Sequence, residues 1–593
     1  METSQVKGRD FQVSGVESPG YELRGYGGVS ASSDSRAAAV GAHMLVAGGN
    51  AVDAAIATAF ALAVHEPAMS HLGGQGNMLV HLPETGETIA LDFYACAPGA
   101  ASPDMYEWIA SPTQGGYRFW TKEDRNTVGA ASVCIPGNVA GWVTAHEKWG
   151  RLSLAEVVAP AVSAAELGSR ASKRTASFIA EQRDKLAQFE ASAGIFLNPD
   201  GSPKAEGDLI VQPDLAATLR RIGQEGLKVF YEGDIGRAIV DAVQRAGGVL
   251  TLDDLKCYPS ELMIEKQPDW ATFRGLRVAG ASPQASALLL NILAVLDGPE
   301  LDRTKGDPGA QHHFMVEAMK LAFAERAQHI GDHDFVNVPL EGLINPEYAA
   351  ARRALIDAEE ARFPGPGDPW AYQGAAPDPE KITGTPLDAP APIVGTTHHS
   401  HVDQWGGFVA LTQSLGDAFG SCMVVPGTGV ILNNAMKLFD PRPGVRIAGI
   451  QPYKRPMTPW PTLIFEGEQP ILSLGSPSGT RIPNAISQVL VNLFVHGMSL
   501  QEAVDRPRLH WSGDELEVEE NIGDEVKEGL VSRGHQIEYR SARSPWFGAV
   551  QIVSRDPETG LCSGAADPRR NGAAVAVQFA HRAAVAHPQA SAP

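Results

Sequence analysis

The run Gly395-Thr396-Thr397-His398-His399-Ser400-His401-Val402-Asp403 holds the residues best suited to chemistry. A threonine hydroxyl is a weak nucleophile unless a base lies beside it, and a chain cut before Thr396 would supply one in its own α-amine. Free α-amines titrate near ~8, so a useful neutral fraction exists at working pH. The cut needs the Thr396 hydroxyl to attack the Gly395 carbonyl, and glycine tolerates the backbone dihedrals that such an attack demands. Thr396 to Val402 reads as a strand, followed by the turn Asp403-Gln404-Trp405-Gly406-Gly407 and a second strand from Phe408 to Leu415. If Val402 pairs with Phe408, counting back sets Thr396 opposite Ser414, two hydroxyls facing each other across a ladder. On this segment alone the bland alternative stays open: a strand that merely starts with two β-branched residues.

A second group lies downstream. Ile471 to Leu474, the loop Gly475-Ser476-Pro477-Ser478-Gly479-Thr480 and an amphipathic run from Arg481 to Phe494 read as strand, tight loop and helix. Amides exposed at such a helix start can stabilise an oxyanion. A phosphate loop is the competing reading, disfavoured because no lysine follows the glycine. His398, His399 and His401 could suggest a metal, yet on a strand only His399 and His401 share a face, and no carboxylate or cysteine cluster completes a set. We expect solvent-facing or packed histidines, no metal and no cofactor.

The elements that must hold these groups follow from periodicity. Ser35 to Val64 carries Ala, Val and Leu at helical spacing, broken by Gly48-Gly49-Asn50, which predicts a helix, a glycine cap and a second helix. Ala51 to Val64 is apolar enough for a buried core helix, and Asn77 to Leu82 reads as a strand. Leu152–Gly168, Asp214–Glu225, Gly236–Gly247 and Gln311–Ile330 are helical in pattern, so the first two-thirds is helix-rich. From Phe363 to Pro392 the composition turns to Pro, Gly, Asp and Ala, which marks an exposed linker and a candidate processing region. Beyond it the texture switches to strands and turns, suggesting two unequal chains or layers.

Composition bounds the class. With 593 residues, 44% hydrophobic and 20% charged, the chain can bury a core or two. A formal net charge of -21 argues against a nucleic-acid surface. Five scattered cysteines, Cys96, Cys134, Cys257, Cys422 and Cys562, indicate neither a zinc site nor a disulfide framework. Residues 1–20 hold no apolar stretch of the secretory or membrane kind, so a cytoplasmic protein without membrane contact is expected.

Thr396-Thr397-His398-x-Ser400-x-x-Asp403, with Leu432-Asn433-Asn434 and Gly475-Ser476-Pro477, resembles the γ-glutamyltransferase family of N-terminal nucleophile hydrolases. Further landmarks stand in family order: Gly48 to Ala55, Pro136 to Gly141, Gln212 to Leu215, Phe230 to Gly233, Glu317 to Lys320 and Asp567 to Arg569. The resemblance implies an α+β fold, a four-layer αββα sandwich built from a heavy and a light chain of one precursor. Those chains would be residues 1–395, ending in the 363–395 linker, and 396–593. It also implies catalytic roles for Thr396, Thr397 and Ser414, the last standing where the family keeps a threonine, and an oxyanion hole at Ser478 and Gly479 in place of two glycines.

The sequence departs from the family where a γ-glutamyl group would bind. Tyr94 stands in place of the family's arginine, Ala435 and Leu438 in place of a glutamine and an aspartate, Gly416 in place of an asparagine, and Thr458-Pro459 in place of two serines. A zwitterionic donor without charged partners would lose several kcal/mol. We therefore expect a more apolar or differently charged acyl group, lined by Tyr94, Ala435, Leu438, Met457 and Trp460, with Arg455 or Arg481 as the available cations. The expected partners are a small-molecule amide and, after self-cleavage, the associated heavy and light chains, with a homodimer of such heterodimers left open. The alternatives are a γ-glutamyl transferase with a rearranged donor site and a non-catalytic scaffold of the same fold.

Overall fold

Two antiparallel sheets carry the molecule. The computed structural model describes residues 11–13, 21–109, 119–281, 283–382, 395–442, 444–445, 447–456, 461–511, 513 and 515–579. Among these, the first sheet has eight strands in the order Phe11–Val13, Ala573–Phe579, Gly28–Ser32, Gly395–Asp403, Phe408–Gly416, Gln75–Leu82, Glu87–Phe93 and Ile264–Lys266. The second has seven, in the order Asp269–Phe273, Leu276–Gly280, Thr462–Glu466, Gln469–Gly475, Gln551–Arg555, Cys562–Ala566 and Leu23–Gly25. The sheets pack face to face, with Ser473 of one donating to Ser400 of the other at 3.0 Å. Helices Ser35–Val46 and Ala51–His65 cover the outer face of the first sheet, and Pro283–Leu296 and Arg481–Phe494 that of the second. This is the expected four-layer αββα sandwich.

The helix pair forms as its sequence dictates. Gly48, at φ +96°, takes the left-handed position that ends the first helix, and the Gly49 N–H donates back to Met44 at 2.9 Å. The Asn50 side chain then accepts from the N–H groups of Val52 and Asp53, while Asp53 returns a bond to the Asn50 N–H, closing a capping box. Every residue from Ala51 to Val64 is buried, because this helix lies between the sheet and an outer helix, Leu154–Leu167.

The halves on either side of the linker are not separate layers. Strands 28–32 and 75–82 from the first two-thirds flank the hairpin of strands 395–403 and 408–416. The sequence textures differ because the long helices cluster in the first part, whereas the strands that pair with the hairpin are short and scattered through it. The linker is mostly exposed from Phe363 to Ile382, apart from a short 3-10 turn at Pro369–Tyr372; its residues 383–394 lie outside the described residues. All five cysteines are free thiols.

One carboxylate ties the hairpin to the helix layer. Asp403, 2% exposed, accepts from the N–H groups of Ala51, Trp405 and Gly407 at 2.9, 2.9 and 2.8 Å. It thus closes the turn and sits at the N-terminal end of the Ala51–His65 helix. Asp403→Ala leaves these donors without a partner and is expected to lower unfolding free energy by about 1–3 kcal/mol in urea denaturation; an unchanged midpoint would contradict this role.

Candidate active site

The hairpin register is the one counted from the sequence: Val402 pairs with Phe408, and Thr396 with Ser414. Between Gly395 and Thr396 the register shifts, so that Gly395 pairs with Gly416 and the ladder is interrupted at that bond. A Cβ on Gly395 would lie 2.1 Å from the Asp417 carbonyl oxygen, so no side chain fits there. Ser414 Oγ donates to the Gly395 carbonyl at 2.5 Å and accepts from the Gly416 N–H at 2.9 Å. Thr396 Oγ1 lies 3.2 Å from Ser414 Oγ. Since the one hydroxyl hydrogen of Ser414 is committed to Gly395, Thr396 is the donor in that contact. Gly416 adopts φ +98°, and a Cβ there would strike Asn434 Oδ1 at 2.2 Å. Glycine is thus required on both sides of the ladder.

Thr397 points to the other face of the sheet, toward the helices. Its hydroxyl donates to Glu66 Oε2 at 2.8 Å, Ser33 Oγ donates to the same oxygen at 2.8 Å, and the two hydroxyls also touch each other. Glu66 Oε1 lies 3.8 Å from Arg570 Nη1, which donates to the Thr396 carbonyl at 2.6 Å. Ser33, Glu66 and Arg570 went unnoticed in the sequence. Arg570 directly follows the Asp567-Pro568-Arg569 landmark, which is the one signal that pointed near it.

The histidines are packed. His398 bonds Thr412 and Ser400 at 2.8 and 2.9 Å under the loop at Gly475, and His399 Nδ1 meets His401 Nε2 at 2.8 Å beneath the helices. Burial holds His399 down to about 3 and keeps His398 and His401 well below the ordinary histidine range. A different set, His313, Glu317 and His535, brings ligand-type atoms within 4.8 Å of one another. There His313 Nδ1 meets His535 Nε2 at 2.8 Å, and the Lys320 ammonium sits 2.6 Å from Glu317 Oε1, so these groups satisfy one another and a cation already occupies the carboxylate.

At the end of strand 469–475 the loop turns through two consecutive left-handed residues, Ser478 (φ +92°) and Gly479 (φ +58°), into the Arg481–Phe494 helix. Neither N–H has an acceptor among the described residues, whereas both carbonyls accept from the first helical turn. A non-glycine residue at such a φ is strained, as loops that aim backbone donors often are. The loop sits at the Thr396 end of the sheet, since Gly475 lies against the ring of His398, two residues along on the same face.

Across the first sheet the row of Thr396 continues. Ser414 pairs with Gln75, and continuing the Gly76–Phe93 register by one residue puts Tyr94 next. Tyr94 is thus three strand spacings, roughly 14 Å, from Thr396. Tyr94, Ala435 and Leu438 meet in one buried apolar cluster with Met436, Phe439 and Ile450. Asn77, in the next row, has no partner for either side-chain amide atom among the described residues. Met457, Thr458, Pro459 and Trp460 lie outside the described residues. Of the two candidate cations, Arg455 is held by Asp334 at 2.7 Å and, through its N–H, by Asp332 at 2.6 Å, whereas the Arg481 guanidinium stacks 3.3 Å over the Trp546 ring.

Known proteins resemble this chain along most of its length. A family model described as gamma-glutamyltranspeptidase matches residues 37–577. The glutathione hydrolase proenzyme of Bacillus subtilis (strain 168) is 35% identical over 562 residues, covering 94% of this chain and 92% of its own length. The acylase ACY 1 proenzyme of Pseudomonas sp. (strain SE83) is 36% identical over 545 residues, covering 91% and 92%. Among solved structures, the cephalosporin acylase from Bacillus halodurans superposes with a TM-score of 0.81 at 29% identity, covering 96% of this chain and 99% of that one. The chain belongs to the gamma-glutamyltranspeptidase family. It is an enzyme of that class, with the α+β sandwich of the N-terminal nucleophile hydrolases. No helix among the described residues is long and apolar enough to cross a membrane.

The buried histidines give a test of the packing around the hairpin. Their folded-state pKa values lie below the unfolded value near ~6.5, so the unfolded chain takes up protons that the folded chain refuses. Their stabilising contribution is complete above ~6.5 and falls as pH drops toward the value of about 3 held by His399. The melting temperature should therefore fall between pH 7 and 4.5, and His399→Gln should flatten that fall; an unaltered slope would contradict it.

Proposed function

We propose that the protein is an autoprocessed amidohydrolase that works through an acyl-enzyme on Thr396, on an acyl group other than γ-glutamyl. The observation that carries this reading is the row Gly416 N–H, Ser414 Oγ and Gly395 carbonyl with Thr396 Oγ1 alongside. In the precursor, Thr396 Oγ1 attacks the Gly395 carbonyl carbon, and the negative charge developing on that oxygen is met by the Ser414 hydroxyl. Collapse breaks the Gly395–Thr396 amide, the hydroxyl proton passing to the departing nitrogen, and leaves an ester on Thr396 Oγ1 with a free α-amine; water then hydrolyses the ester. The products are a heavy chain, residues 1–395, and a light chain, residues 396–593, that begins with the nucleophile.

In the mature enzyme the same hydroxyl attacks the substrate amide, its proton passing to the Thr396 amine and on to the leaving amine. The free N–H groups of Ser478 and Gly479 supply the oxyanion donors. Thr397 acts through Glu66 and Arg570, which fix the Thr396 carbonyl and so the direction of its side chain. Of the two activities named among the relatives, the acylase fits better. Tyr94, Ala435 and Leu438 form an apolar cluster where a γ-glutamyl head would need charged partners, while the Asn77 amide offers a neutral polar contact.

An amide panel tests this reading. N-acyl amides with apolar acyl groups should be cleaved by wild type and not by Thr396→Ala, and a chromogenic γ-glutamyl anilide should stay at the Thr396→Ala blank. Efficient release from the γ-glutamyl anilide would favour the transferase reading instead. Ser414→Ala should slow self-cleavage by about 10²-fold or more, the scale for losing one oxyanion donor, with Ser414→Thr restoring it. Equal rates in all three forms would remove Ser414 from the chemistry.

A further inference from the structure

On the side of Thr396 away from Tyr94, across the strands Gly28–Ser32 and Ala573–Phe579, lies a cavity of about 590 Å³. It reaches from Ser478 of the oxyanion loop to Arg570, the residue that holds the Thr396 carbonyl, with Arg174, Arg481, Phe178 and Trp546 among its walls. Arg570 is 4% exposed, and neither its Nε nor its Nη2 has a hydrogen-bond partner among the described residues. Arg174 Nε is likewise without a partner among them, its guanidinium lying 4.8 Å over the Phe178 ring.

The charges here do not balance. Arg569, which also borders the cavity, is saturated by Glu519 and Asp567. Glu66 faces both Arg174 and Arg570 but already accepts from Thr397 and Ser33; of their other acidic neighbours, Asp567 pairs with Arg508 and Arg569, and Glu181, on the cavity wall, faces Arg174 alone. Burial first, and then the Arg174 charge, bring Arg570 down to about 9, against the opposing pull of Glu66 and Asp567. A buried cation with unpartnered donors, such as Arg570, is costly, and the planar donor forks of arginine match a carboxylate.

We propose that this cavity binds a carboxylate carried by the substrate, with Arg174 and Arg570 as its partners and Trp546 and Phe178 packing against the group that bears it. Because the Tyr94 cluster lies on the opposite side of Thr396, the carboxylate belongs to the leaving amine, and the substrate class is an amide between an apolar acyl group and an amine that bears an acid. The class assignment rests on the reading of Thr396 as nucleophile. The binding site itself does not.

Benzoate and benzamide, alike in shape and different in charge, separate the two claims when their dissociation constants for the purified protein are measured by calorimetry at fixed salt. Benzoate should bind at least about tenfold more tightly, the scale of one charge-assisted hydrogen bond. Arg174→Met should bring the ratio close to one, and Arg174→Lys should keep part of it. Equal binding by wild type, or a full preference surviving in Arg174→Met, would overturn the site. If Arg174→Met does not fold, the wild-type ratio and Arg174→Lys decide. A clear benzoate preference in a protein that cleaves no amide would leave the site standing and sink the nucleophile reading; amide cleavage without that preference would do the reverse.

Discussion

The structure turns on one crowded point, the bond between Gly395 and Thr396. The carbonyl of Asp417 leaves no room for a side chain on Gly395, the ladder shifts register there, and the Gly395 carbonyl accepts the shortest hydroxyl contact in the row, from Ser414 at 2.5 Å. Each feature alone is ordinary in a bulged strand. Together they hold a hydroxyl beside a polarised carbonyl that belongs to its own chain. Strands drawn from residues 28–32 and 75–82 exist in the fold as the flanks of this hairpin, and the helix pair from Ser35 to His65 covers it from outside.

Support for that point comes from the opposite face of the same strand. Thr397 looks away from the Thr396 hydroxyl, yet through Glu66 it joins Arg570, whose guanidinium returns to the Thr396 carbonyl. The residues supplying this brace sit far apart in sequence, at Ser33, Glu66, Thr397 and Arg570. The sandwich collects them at one end of the sheet, where the loop Ser478-Gly479 also arrives. Thr396 thus sits on a central strand braced from a helix end and from the turns next to the flanking strands, an arrangement that holds its backbone rigidly.

What the sequence revealed followed strict rules. Period-2 alternation and a five-residue turn fixed the hairpin, so Ser414 could be placed opposite Thr396 by counting. The glycine break at Gly48-Gly49 placed the two helices, and the strand, loop and helix around Ser478 came out as expected. The apolar cluster of Tyr94, Ala435 and Leu438 was inferred from substitutions against a family pattern, and the fold brings these residues together. Glu66, Ser33, Asn77, Arg174 and Arg570 had no local signature. A lone polar or charged residue carries no periodicity that says what it faces, and only tertiary packing brings these residues together around Thr396. The change of texture at the linker does not mark separate layers, for a related reason: composition records where helices concentrate, not which strands pair.

The central claim is that this chain makes its own catalyst by cutting before Thr396. Denaturing intact-mass spectrometry of the purified wild type beside Thr396→Ala tests it most directly. The account predicts two fragments in the wild type, ending at Gly395 and beginning at Thr396, and a single full-length mass in the variant. A single full-length mass in both, or cleavage at another bond, would contradict it.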